Sequence, residues 1–145
     1  MIRRSSNKKI NYNLSDLVDR LAIDQIKQIQ LEKSVKNYEK SISKIGKSID
    51  LLFKRKKIKL NDQLVGILLS LSQINLFIWI TRKEISNQRK PDPKKIKLSH
   101  QLNALRNQLK NKLSKIYYGK SKSSEKKTNT NKEDLLGWNL SSLNE

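Results

Sequence analysis

The sequence predicts an all-α protein, an antiparallel bundle of three to four helices around one central apolar helix. Three observations carry this. Residues 64–80, LVGILLSLSQINLFIWI, form the one long, nearly uncharged apolar run in a chain otherwise rich in Lys, Asn, Ser and scattered Leu and Ile. The segments before and after it place apolar residues every three or four positions, the period of a helical stripe. Start and stop signals bound these segments: Asn13, Asn61, the Asp92-Pro93 pair and Gly119. A chain of 145 residues has room for one domain with a modest core. We divide it into a flexible basic N-terminus (1–12), a helical bundle domain (13–119), a disordered basic linker (120–134) and a short apolar tail (135–145).

Asn13 caps a first helix starting at Leu14, with Asp16 favoured in the first turn by the helix dipole. Leu14, Leu17, Val18, Leu21, Ala22 and Ile29 fall on one face, with Ile26 at its edge. Asp16, Asp19, Arg20 and Asp24 lie beside or opposite that face, as a solvated surface with spaced pairs such as Asp16–Arg20. From Leu31 the phase changes. Leu31, Val35, Tyr38, Ile42, Ile45, Ile49 and Leu52 form a heptad seam with Lys and Ser outside it. Residues 31–53 therefore read as a coiled-coil-like helix, packed on a neighbour in this chain or on another copy. Either a break near 32–36 separates it from the first helix, or one long helix changes partner there. Gly46 sits inside the seam at a cost of about 1 kcal/mol relative to Ala.

Residues 54–61 turn into the central helix, expected from Asp62 to Ser86 and capped by Asn61; so short a connection predicts antiparallel neighbours. The central run is a buried core helix or a membrane span. Its 17 residues fall short of the roughly 20 needed to cross a bilayer, and Gln73 and Asn75 would be costly against lipid. A core helix is the better reading. A helix apolar on nearly all sides is expected to be buried on nearly all sides, wrapped by the other segments. Gln88 to Pro93 is a loop, and Asp92 before Pro93 starts a last helix from about Lys94 to Tyr118. Leu98, Leu102, Leu105, Leu109, Leu113 and Ile116 form its narrow stripe, and Gly119 stops it. Residues 120–134, KSKSSEKKTNTNKED, are too polar to offset the entropy of ordering. Leu135, Leu136, Trp138 and Leu140 then form a tail that folds back on the helices or docks in a partner's groove.

Composition excludes several chemistries. Without cysteine there is no disulfide, thiol nucleophile or thiolate metal site, and His100 is the only histidine. No Gly-rich phosphate loop, zinc spacing or nucleophile elbow is present. The expectation is a non-enzymatic protein without cofactor or metal. The first residues contain no apolar core segment of a secretory signal, so a cytoplasmic protein is expected. The formal charge of +19 suits a partner bearing phosphates, through Lys54, Arg55, Lys56, Lys57, Lys94, Lys95 and Lys97. The competing explanation is AT-rich coding, which enriches Lys, Asn and Ile whatever the function. Few aromatic residues accompany the basic runs, which weakens a stacking platform for single strands. If the helices pack together, polar residues on them must face inward and satisfy one another. We expect a partly buried cluster drawn from Asp19, Arg20, Asn75, Trp79, Glu84, Asn103, Arg106 and Asn107, with Arg106 or Arg20 pairing with Asp19 or Glu84.

Three stretches carry a family resemblance: LSDLVDRLAIDQIKQIQL (14–31), SQINLFIWITRKEI (72–85) and LSHQLNALRNQLKNKLSKI (98–116). Their D-R-L-x-I, N-L-x-I-W and L-N-x-x-R-N patterns resemble uncharacterised small helical proteins of T4-like marine bacteriophages and related bacteria. They also resemble helical domains of unknown function found beside bacterial glycosyltransferases. The resemblance covers about two thirds of the chain and leaves out everything beyond Gly119. It implies an all-α, non-secreted protein, in a host cytoplasm if phage-encoded, and no activity or cofactor. The expected function is a helical interaction or assembly protein, self-associating through residues 31–53 or binding a protein partner. The alternatives are a nucleic-acid binder and, less favoured, a small membrane-associated protein.

Overall fold

The computed structural model describes residues 13–31 and 35–118. The tail residues Leu135, Leu136, Trp138 and Leu140, the linker and Gly119 lie outside the described residues. The described chain is all-helical: α1 (Leu14–Gln30), α2 (Val35–Lys56), α3 (Asp62–Ser86) and α4 (Pro93–Tyr118). Residues 14–53 are thus two helices.

Three of the four helices start on the residue expected to cap them. Asn13 accepts the Ser15 N–H at 3.1 Å, Asn61 the Leu64 N–H at 2.8 Å, and Asp92 the Lys94 N–H at 2.9 Å. These side chains satisfy donors that have no partner in the first helical turn. Helix α4 begins on Pro93 itself, because proline's fixed φ suits the first helical position after the Asp92 cap. At the end of α2, Lys57 takes φ 52° and the Ile58 N–H reaches back to the Phe53 carbonyl at 3.0 Å. That is a Schellman stop, closed here by a lysine where glycine is usual.

Helices α3 and α4 form one antiparallel hairpin and α1 and α2 another. The sense follows from the contacts: Glu84 pairs with Lys95, and Asp24 and Lys27 of α1 meet Ser41 and Tyr38 of α2. Helix α1 also packs on α3 and α4. The core is built from Leu14, Leu64, Ile67, Leu71, Ile74, Ile78, Leu102, Leu105, Leu109 and Leu113. The α4 stripe is buried where α3 covers it, from Leu102 to Leu113; Leu98 is half-buried and Ile116 exposed.

Four expectations are corrected. First, α2 packs chiefly on α1, and its contact with α3 is slight. A tight turn fixes only where two helices meet, and the α2 seam finds its complement on α1. Ile45 is buried there, Val35, Tyr38, Ile42, Ile49 and Leu52 are half-buried, and Leu31 is exposed. Second, Ile26 is buried and Ile29 is 78% exposed, because the helix has turned by its end. Third, Asp19 and Asp24 are buried rather than solvated, and Asp16 pairs with Lys110 of α4 at 3.0 Å instead of with Arg20. Fourth, among the described residues α3 is not wrapped on all sides. Its core face is Leu64, Ile67, Leu71, Ile74, Asn75, Ile78 and Thr81. The opposite face leaves Val65, Leu69, Leu76, Phe77 and Ile80 exposed, Leu69 by 59% and Phe77 by 50%.

A β-carbon built on Gly46 meets nothing within 4 Å. Gly46→Ala should therefore stabilise the protein by about 1 kcal/mol through helix propensity, read as a higher midpoint in thermal or urea unfolding.

Candidate functional site

Two features stand out: a polar junction where three helices meet, and the bare face of α3. The junction centres on Asp19 of α1, which is 5% exposed. Arg106 of α4 grips its carboxylate with both ends of the guanidinium fork: Nε donates to Oδ1 at 2.8 Å and Nη2 to Oδ2 at 2.5 Å. Asn75 of α3 donates its Nδ2–H to Oδ1 at 3.0 Å. Lys110, one turn beyond Arg106, lies 3.5 Å from Oδ2 and 3.0 Å from Asp16. Burial pushes the Asp19 carboxyl up. The Arg106 and Asn75 hydrogen bonds and the charges of Arg106 and Lys110 outweigh it and hold the group below the ordinary aspartate range.

Of the eight residues expected to cluster, Asp19, Asn75 and Arg106 come together. Asn103 and Asn107 line a polar cleft of about 480 Å³ beside them, with Asn13, Asp16 and Lys110. Arg20 is exposed on α1, and Glu84 is bound to Lys95 near the α3–α4 loop. Trp79 lines a second cleft of about 550 Å³ with Ile23, Ile26 and Ile78, and Arg106 and Arg82 border both clefts. Among the described residues, the Trp79 indole N–H is buried without an acceptor. An unmet donor of this kind costs about 1–3 kcal/mol.

Sequence reasoning missed Lys110 and Asp16. The signal was present: Asp16 and Asp19 share one face of α1 at a spacing of three, and Arg106 and Lys110 share one face of α4 at a spacing of four. Ser114 continues the same edge, bonded to the Asn13 amide and the Ser15 hydroxyl at 3.0 Å each. Helix α1 thus meets α4 through polar rungs from Asn13 to Asp19. Asp24 was also missed as a buried acceptor; the Ser41 hydroxyl donates to it at 2.5 Å.

The Asp19 oxygens are filled by donors from two other helices, so this carboxylate serves packing. Among the described residues, no cluster of three His, Asp or Glu side chains is placed to hold a metal ion. Of the basic residues singled out from the sequence, Lys54, Arg55, Lys56, Lys57, Lys94 and Lys97 are exposed, whereas Lys95 is held by Glu84 at 3.1 Å. Comparison with protein-family models, with curated proteins and with solved structures finds no match to this chain.

Arg106→Leu should destabilise the fold by about 3 kcal/mol, since it strands a buried carboxylate with Asn75 and a more distant Lys110. Asp19→Asn in the same chain should recover part of that loss, and a double-mutant cycle in urea measures the coupling. The lowered Asp19 value also sets a pH dependence. Its contribution is fully present above the unfolded aspartate value of about 3.9 and disappears as pH falls through the lower folded value. The stability gap between wild type and Asp19→Asn should therefore hold from pH 7 to about 5 and close below about pH 4, measured by urea midpoints.

Proposed function

We propose that this chain is a non-enzymatic helical interaction or assembly protein that docks through the bare face of α3. The observation that carries the reading is the row Val65, Leu69, Leu76, Phe77 and Ile80, exposed together on one side of the most apolar helix. Folded monomers rarely expose an apolar patch larger than a few hundred Å², and contiguous ones mark binding surfaces. The seam at 31–53 supports self-association less well than this face does, because its partner is α1 of the same chain.

The nucleic-acid reading keeps one observation in its favour, the exposed run Lys54 to Lys57 at the end of α2. By length and composition alone α3 is also able to cross a membrane. A spanning α3 would have to leave α1 and α4, and would carry Asn75 away from Asp19 into lipid.

Leu69→Glu with Phe77→Glu tests the docking reading. Both residues are exposed, so the unfolding midpoint should move little, by about 0.5 kcal/mol per site. Proteins co-purifying with the wild-type chain from its native host should be lost from the variant, and should stay with the wild type as salt is raised. Phosphate contacts would instead fail steeply with salt. Unchanged co-purification with the variant would refute the reading.

A further inference from the structure

The bare face of α3 has nearly the same order of residue types read from either end. Its midpoint is the Ser72–Gln73 peptide bond. Leu69 stands three residues before Ser72 and Leu76 three after Gln73; Val65 stands seven before and Ile80 seven after. Asp62 in the first turn stands ten before, and Lys83 in the last turn ten after. All of these side chains are exposed. At 3.6 residues per turn they fall on one side of the helix, away from the core residues Ile67, Leu71, Ile74 and Ile78.

An isologous contact places residue i of one copy against residue j of the other and j against i. Two copies of α3 running antiparallel about a twofold axis through Ser72–Gln73 meet that condition along the whole face. Val65 then packs on Ile80 of the second copy and Leu69 on Leu76, with Phe77 at the edge of the contact. Asp62 of each copy faces Lys83 of the other, giving opposite charges at both ends of the contact. At the crossing, Ser72 is small enough for close approach, and Gln73 supplies donors and acceptors beside the axis. We propose that the occupant of this face is a second copy of the chain, with the two α3 helices antiparallel. The inference rests on the docking reading above and names its partner.

A parallel pair about a twofold axis along the helices would also be isologous, but it fails on charge. It would set Asp62 against Asp62 and Lys83 against Lys83, with like charges at both ends. The face from Val65 to Ile80 is about 22 Å long at 1.5 Å per residue, a contact at the small end of stable interfaces. The formal charge of +19 per copy opposes association, and salt shortens the range of that repulsion to about 8 Å at physiological ionic strength. Dimerisation should therefore strengthen, or at least hold, as salt is raised.

The chain contains no cysteine, so single cysteines report proximity without background. In the full-length protein, Ser72→Cys should form a disulfide-linked dimer under mild oxidation, because the two copies of that residue lie beside the axis within bridging reach. Val65→Cys alone should not, since its own copy lies about 22 Å away along the axis; mixed with Ile80→Cys it should give the mixed dimer. Sedimentation should show a monomer–dimer equilibrium with a Kd between about 1 and 100 µM, abolished by Leu69→Glu with Phe77→Glu. Self-linking of Val65→Cys would overturn the antiparallel register. A chain that stays monomeric throughout that range would overturn the second copy as occupant. If such a monomer still lost a different partner, or lost pelleting with phosphatidylserine vesicles, when Leu69 and Phe77 were changed, the docking face would stand with another occupant. If the changes affected nothing, both readings would fall.

Discussion

A helix that is apolar around its whole circumference needs neighbours on every side, and among the described residues only α1 and α4 pack extensively on α3. Helices α1 and α4 cover the face of Leu64, Ile67, Leu71, Ile74 and Ile78. Helix α2, the remaining candidate, is engaged with α1. The hydrophobic effect has no direction and favours burying either side of α3 at roughly 25 cal/mol per Å². Which side is buried is decided by what else must be satisfied, and only the core side carries Asn75, which needs a buried partner. The shortage of helices explains both the leucine-rich core and the exposed row opposite it.

The Asp19 junction answers a different need. Stripes of leucine and isoleucine tolerate sliding by a turn with little change in buried area, so apolar packing alone leaves the level of one helix against another loosely set. A carboxylate that must receive both guanidinium nitrogens of Arg106 and the amide of Asn75 fixes α1, α3 and α4 at one level. Burying ions costs several kcal/mol each, and the pairing does little more than recover it. The polar rungs from Asn13 to Lys110 extend the same register along α1 and α4. What this junction achieves is one defined arrangement among near-equals, and the penalty for breaking it is correspondingly steep.

Much of this architecture was legible before any coordinates. Caps are local chemistry, so Asn13, Asn61 and Asp92-Pro93 placed three helix starts to within a residue. The Asp19–Arg106 pair was reachable because few charged residues lie on the inward sides of α1 and α4, and a buried charge requires an opposite one. What failed depends on distant partners. The period of α1 shows that one face is buried, yet only the crossing of α4 shows that Asp19 lies inside that contact, with the exposed Asp16 paired at its rim. The seam of α2 is equally compatible with another copy or with α1. The apolar run of α3 reports a demand for burial and is silent on whether the chain can meet it.

The attachment of α2 has a consequence for motion. It fully buries one side chain, Ile45, and otherwise rests chiefly on α1 through half-covered residues, a Lys27–Tyr38 ring contact and one hydroxyl bond to Asp24. Few buried contacts mean a low free energy of local opening. Backbone amides of α2 will therefore exchange with solvent through partial unfolding that leaves α1, α3 and α4 assembled. The molecule behaves as a three-helix body carrying a detachable fourth, and its breathing begins at the helix with the thinnest hold on its neighbours.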